Sequence, residues 1–286
     1  MMRSYVVMIA GPCDTDLRGS LESWLRGLGA RLGTNVRAFS DRDKKLAYVR
    51  IEFSCLAGLH ELQADLESRV SHWLLEAWQV QSLERPKILV LASRTDHCVH
   101  GLLALQQQGR LDGDIVAVAS NHQLLRGLVE VYSVPYIHID WPADPDGAVT
   151  AHAELVQLIK RTDADLVVMA RFMQIVPEEV CRLVTVINAH HDDTQRHRGA
   201  NPYARVRQYG NRTIAATAHY ATKVLDAGQI IAQESRNIDG LGPMPSTSEL
   251  SSEGRQVEVT ALLTAVRRHV RGEVFVLGDR TMHFPA

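Results

Sequence analysis

Asp165-Leu-Val-Val-Met-Ala170 is a run of five consecutive apolar residues behind a single acid, and how it is read decides the fold. A half-exposed strand alternates apolar with polar side chains, whereas a strand buried on both faces does not. This stretch is too short for a helix that spans a core, and it is flanked by helical patterns. It therefore reads as an inner strand of a parallel sheet. Working outward, Lys87 to Ala92, Asp114 to Ser120, Tyr136 to Ile139 and Thr185 to Asn188 repeat the pattern. Helical stretches lie between them near 98–108, 123–131, 149–162 and 177–183. Strands alternating with helices predict an α/β fold with both faces of a mainly parallel sheet covered, and ligands at the carboxyl ends of the strands. Downstream, a helix from Pro202 to Tyr209, strands Thr213 to Tyr220 and Gln229 to Ile238, a helix near 256–270 and a closing hairpin around Gly278-Asp279 are expected.

Upstream of Arg85-Pro86 the pattern changes. Tyr5 to Ala10 is a strand, and Leu17, Leu21, Trp24, Leu25 and Leu28 recur at helical spacing. Asn35 to Phe39 and Leu46 to Phe53 follow as strands, then a second helix carries Leu59, Leu62, Leu66, Val70, Trp73, Leu74 and Ala77. Trp78 to Leu83 closes the set. The order β-α-β-β-α-β is that of a ferredoxin-like module. Two domains result, 1–84 and 85–286, in keeping with about 100–200 residues per domain.

Of 286 residues, 45% are hydrophobic and 22% charged, with a formal net charge of −2. Such a balance supplies no field for nucleic-acid binding. Apolar runs of strand length fall far short of the roughly 20 residues that span a bilayer. A basic segment followed by an apolar one is missing at the start, so the expectation is a cytoplasmic chain. Cys13, Cys55, Cys98 and Cys181 lack paired spacing and read as reduced thiols.

The chemistry-bearing set is Asn188, His190 and Asp226. An amide donor, an imidazole that exchanges protons near neutral pH and a carboxylate that orients it suit a reaction passing through a tetrahedral oxyanion, such as moving a formyl group. Donors aimed at such an oxygen are worth about 2.7–4 kcal/mol each by deletion. His191, Asp192, Asp193 and His197 also invite a metal reading. No H-x-x-x-H or H-E-x-x-H spacing supports it, so a hydrated loop and no metal are expected.

Several stretches resemble the formyltetrahydrofolate deformylases. They are Asp165 to Ile175, Ile187-Asn-Ala-His-His191, Gly199-Ala-Asn-Pro-Tyr203, Ala215-Ala-Thr-Ala-His-Tyr220, Ser93-Arg-Thr-Asp-His-Cys98 with Leu102-Leu103, and Val118-Ala-Ser-Asn-His122. The resemblance runs on to Gly278-Asp-Arg-Thr281. It implies an N-terminal ACT domain for regulation or assembly and a Rossmann-like formyltransferase domain. It also implies hydrolysis of 10-formyltetrahydrofolate to formate and tetrahydrofolate, within one-carbon metabolism and purine biosynthesis. Asn188, His190 and Asp226 would be the catalytic trio. Phe172, Met173, Gln174, Ile175 and Val176, with Ala221, Thr222, Val224 and Leu225, would frame the pterin; His97, His122, His191 and His219 would line the substrate. A homo-oligomer, joined through the N-terminal domain with its exposed strand edges, is expected. The alternatives are a formyltransferase acting on a special amine, or an inactive folate-binding homologue.

Related transferases hold an acceptor's phosphate with a glycine-rich turn where Asp96-His97-Cys98 stands here, which favours hydrolysis. Other positions depart from the deformylase pattern itself. Asp192-Asp-Thr-Gln-Arg-His-Arg198 replaces an apolar, proline-stiffened segment, and a polar loop cannot pack as the same lid. Pro12-Cys-Asp-Thr-Asp-Leu-Arg18 lacks the Pro-Gly turn of a family effector pocket, and Asp239-Gly240 replaces an Asp-His pair.

Overall fold

The structure, a computed structural model, describes residues 1–142, 144–191, 212–242 and 245–284. The 192–198 loop, the Gly199–Tyr203 motif and the helix expected from Pro202 lie outside the described residues. The chain forms two compact units, 1–84 with 269–286, and 85–268.

The first unit contains β1 (Arg3–Pro12), α1 (Leu17–Gly27), β2 (Arg31–Asp41), β3 (Leu46–Cys55), α2 (Leu59–Glu67), α3 (Val70–Trp73) and β4 (Ala77–Ser82). The sheet order is β2-β3-β1-β4, with antiparallel neighbours throughout. Asp16 starts α1 by accepting from the Gly19 amide, satisfying one of the free N–H groups of a helix start. The expected single helix to Ala77 is instead broken. Ser68 ends α2, and Leu74 takes a left-handed φ of 53° that turns the chain into β4.

β1 is buried on both faces, so its side chains alternate between two cores. Tyr5, Val7 and Ile9 pack with Leu21, Leu25, Leu62 and Leu66 of the helices. Val6, Met8 and Ala10 pack with Phe275, Leu277 and Phe284. The latter three belong to the terminal hairpin, β12 (Val274–Leu277) and β13 (Arg280–His283), or follow it directly. The second domain as read from sequence, 85–286, is therefore corrected at its end: residues 269–286 cluster with the first unit, because their aromatics complete its second core. Buried Arg50 secures the approach, its Nε donating to the Gly272 carbonyl at 3.0 Å.

The second unit runs β5 (Lys87–Ala92), α4 (His97–Gln107), β6 (Asp114–Ser120), α5 (Arg126–Val131), β7 (Tyr136–His138), α6 (Pro145–Thr162), β8 (Leu166–Ala170), α7 (Glu178–Leu183) and β9 (Thr185–His191). Then come β10 (Thr213–Tyr220), β11 (Ile230–Asn237), a 3-10 turn (Asp239–Leu241) and α8 (Thr247–Val270). Strand order is β11-β10-β9-β8-β5-β6-β7; β9 through β7 run parallel and β10 and β11 antiparallel. One face packs Leu89, Leu91, Val167, Met169 and Val186 under Leu155, Ile159 and Val180 of α6 and α7. Facing α4 and α8 approach so closely that a Cβ on Gly101 would meet Val259 Cγ1 at 2.9 Å. The chain leaves β5 toward β6 and returns to its other side at β8, so the order reverses between β5 and β8. Ligands of open α/β sheets bind beside such a reversal, outside the carboxyl ends.

Candidate active site

β9 is three residues longer than its sequence suggests, because it pairs with β10 as far as His191. That extension puts both histidines inside a strand, where successive side chains point to opposite faces. Asn188 and His190 share one face, and His191 takes the other. Across the ladder His190 faces Thr217 and Asn188 faces His219. A bulge between Ala218 and His219 adjusts this edge.

Asp226 arrives on the β10–β11 loop with a left-handed φ of 53°, a conformation that a non-glycine residue adopts at a cost. The loop closes tightly, with the Tyr220 amide donating to the Gln229 carbonyl at 3.0 Å. The turn sets Asp226 between two imidazoles, Oδ2 at 3.6 Å from His190 Nδ1 and Oδ1 at 3.6 Å from His219 Nε2. The two rings meet edge to face at 5.3 Å. His219 is fixed from behind, its Nδ1 lying 2.9 Å from the Tyr220 carbonyl. A carbonyl only accepts, so that nitrogen carries the proton and Nε2 is the atom turned to Asp226. A carboxylate shared by two imidazoles, one of them locked in tautomer, can hold a proton and pass it on.

Two apolar segments flank this cluster. After β8, Phe172 and Val176 are buried, and Phe172 meets Trp141 edge-on at 5.1 Å. Met173 and Ile175 stand 67% and 73% exposed, with Gln174 half-buried between them. In the second segment Ala221 packs on the core that holds Phe172 and donates its amide to the Val186 carbonyl at 2.8 Å. Thr222 Oγ1 donates to the Val224 carbonyl, and Val224 and Leu225 are 54% and 69% exposed. Large apolar side chains left open in two segments beside a polar cluster mark a surface suited to binding a ligand. Ser93 at the end of β5 ties this rim to the sheet reversal, its Oγ accepting from the Met173 amide at 3.1 Å and donating to Asn121 Oδ1 at 2.7 Å.

The four histidines expected to line the substrate separate into different environments. His219 joins Asp226, as above. His122 accepts from Arg94 Nε at 3.1 Å and is held through its carbonyl by the Tyr136 hydroxyl. His97 and His191 turn instead to Glu258 of α8, their Nε2 atoms 2.7 and 3.1 Å from Oε2. Arg171 Nη1 donates to Oε1 at 3.3 Å. Burial lowers the His191 pKa to about 4 against the opposing pull of Glu258, so the ring is neutral at pH 7. Burial also pushes the Cys98 thiol up. Glu258 and Arg171 are absent from the sequence reading of the site. One signal was available: Glu258 lies on the buried stripe of α8 with Leu250, Val257, Ala261, Leu262 and Ala265, and an acid there needs partners.

Among the described residues two sets offer close ligand atoms for a cation, His190 with His219 and Asp226, and His97 with Cys98 and Glu258. In the second the Arg171 guanidinium already balances the carboxylate. The His191, Asp192, Asp193 and His197 grouping, set aside in the sequence in favour of a hydrated loop, lies largely outside the described residues.

The mainly parallel sheet reverses at β5 and β8 and carries an amide, two imidazoles and a carboxylate at its carboxyl edge, and the domain that holds them is of the formyl transferase class. The family model for formyl transferase matches residues 86–266. A formyltetrahydrofolate deformylase from Corynebacterium sp. (strain P-1) is 34% identical over 254 residues, 86% of either chain. One from Bacillus subtilis is 30% identical over 284 residues, 97% of this chain and 93% of that one. The crystal structure of a formyltetrahydrofolate deformylase from Pseudomonas syringae pv. tomato superposes with a TM-score of 0.84 at 31% identity, covering 100% and 95% of the two chains. A glycinamide ribonucleotide transformylase from Symbiobacterium toebii, at 21% identity and a TM-score of 0.64, shares the fold over 71% of this chain. The chain belongs to the formyltetrahydrofolate deformylase family, as its motifs implied.

Proposed function

We propose that this chain hydrolyses 10-formyltetrahydrofolate to formate and tetrahydrofolate, with Asn188, His190 and Asp226 as its catalytic residues. The observation that carries the reading is Asp226 held 3.6 Å from both His190 and His219, with Asn188 on the His190 face of the same strand. The backbone groups and apolar walls of 172–176 and 221–225 frame the pterin and set the formyl carbon over β9. Asp226, acting with His190, accepts a proton from water as the water oxygen bonds to that carbon. The Asn188 amide and protonated His190 stabilise the oxyanion. The bond from carbon to N10 breaks, N10 takes the proton, and formate leaves.

The first unit is an ACT-like domain in this reading, supported by its β-α-β-β-α-β order and antiparallel sheet. It serves assembly of a homo-oligomer in the cytoplasm, and the long edge strand β2 supplies a pairing edge.

Incubation with 10-formyltetrahydrofolate tests this reading. Formate and tetrahydrofolate should appear in equal amounts whether or not amines are added. Asn188→Ala should lower kcat by about 100- to 1,000-fold, as loss of an oxyanion donor does, and His190→Ala at least as much. A formylated amine without free formate would make the chain a transferase instead.

A further inference from the structure

Glu258 is the only buried carboxylate among the described residues, with 0% of its surface exposed. An ionised carboxylate so placed is tolerated only when charge and hydrogen bonds meet it from several sides. Its three partners enter from three different elements. His97 is the first residue of α4, Arg171 follows β8, and His191 ends β9. Each of those points borders the site of the reaction. Arg171 directly precedes the 172–176 segment and holds a left-handed φ of 62°, a conformation that the surrounding contacts must impose on an arginine. His191 directly follows His190, on the opposite face of the strand.

We infer that Glu258 is a positioning residue for deformylation: by gripping Arg171 and His191 together it fixes the pterin-facing segment after β8 relative to Asn188 and His190 on β9. The inference rests on the function proposed above. Arg171 transmits the grip to substrate binding, and His191 transmits it to the chemistry. His97 adds the start of α4, so one carboxylate sets the spacing of three strand-end segments. A divalent cation on His97, Cys98 and Glu258 would have to sit beside the Arg171 guanidinium and strip a thiol whose proton burial retains. The set is therefore a polar network centred on Glu258, in which His97 Nδ1 and Arg171 Nε are buried without a hydrogen-bond partner.

The test is steady-state kinetics of four variants of the full chain with 10-formyltetrahydrofolate. Glu258→Gln keeps the shape and removes the charge; it should lower kcat toward the roughly 100-fold loss that follows a 1 Å misplacement, and raise KM as well. Glu258→Asp, with the charge restored, should recover part of that loss. The two arms should separate, His191→Asn lowering kcat with KM near wild type, and Arg171→Met raising KM with kcat near wild type. A general structural role would not produce that split, since unfolding removes active protein from every variant alike. The assignment is overturned if Glu258→Gln stays within twofold of wild type in both constants, or if both arm variants lose activity only in proportion to folded protein measured by circular dichroism. Should Glu258→Gln fail to fold, the two arm variants decide the matter by the same split. A wild type that releases no formate overturns the functional reading and this assignment with it, whereas an active wild type with unaffected variants overturns the assignment alone.

Discussion

His190 and His191 are adjacent in sequence, yet one meets Asp226 and the other Glu258. Strand alternation alone separates them, so a residue pair that reads as one motif does two jobs. The environments differ in what surrounds each ring. His191 is buried against Glu258, with Arg171, His97 and His190 around it, and its pKa falls from 6.5 to about 4. The unfolded chain takes up a proton at this ring below pH 6.5, while the native state refuses it until about pH 4. Stability therefore falls as pH drops through that window and is unaffected by this group above it. At about 1.36 kcal/mol per unit the whole effect is on the order of 3 kcal/mol. Urea midpoints measured from pH 7 to pH 4.5 should fall more steeply for wild type than for His191→Asn; parallel curves would remove His191 from the account. At this scale Asn188 and His190 were legible as polar residues behind the apolar run of β9, and Asp226 as the carboxylate expected to orient the imidazole. Arg171 and Glu258 were not, since their meaning lies in a contact spanning 87 positions.

Elements differ from their sequence reading where pairing, rather than local pattern, sets the boundary. The apolar runs of β5, β6 and β8 announced themselves, since burial on both faces leaves no polar position. β9 outran its apolar run because β10 supplies hydrogen bonds to a histidine pair that periodicity alone would leave in a loop. Helical spacing from Leu59 to Ala77 concealed a break, as Leu74 leaves the helix and stands exposed. The β10–β11 loop shows how tightly an element can fix a functional group. A Cβ on Gly228 would lie 1.7 Å from the Tyr220 carbonyl oxygen, so no other residue fits while the loop keeps its course. Gly228→Ala must displace the turn two residues beyond Asp226. Its expected outcome is a kcat loss toward the roughly 100-fold typical of a 1 Å error, with circular dichroism unchanged. Full activity in that variant would show that the loop yields without moving Asp226.

The chain enters the first unit, crosses to the second and returns, α8 ending with His269 and Val270 counted in the first. Sequence order alone hid that return, because the terminal hairpin follows the second unit directly and only packing shows what it covers. The uninterrupted run from Tyr5 to Ala10 held the clue: a strand apolar at every position has a second face in need of a cover, which Phe275, Leu277 and Phe284 provide. Each unit has its own core, so heat should unfold them in separable steps. The four tryptophans report the steps apart, Trp24, Trp73 and Trp78 in the first unit and Trp141, packed on Phe172, in the second. Phe275→Ala should lower only the first-unit transition, by the roughly 3–5 kcal/mol that removal of a core aromatic costs. A folate held by the second unit at 100 times its Kd should raise only the other, by about 2.7 kcal/mol. Comparing fluorescence melts of wild type with Trp141→Phe assigns each transition. If Phe275→Ala and the folate both shift one common transition, the two units unfold as one, and the terminal hairpin stabilises the whole chain rather than the first unit alone.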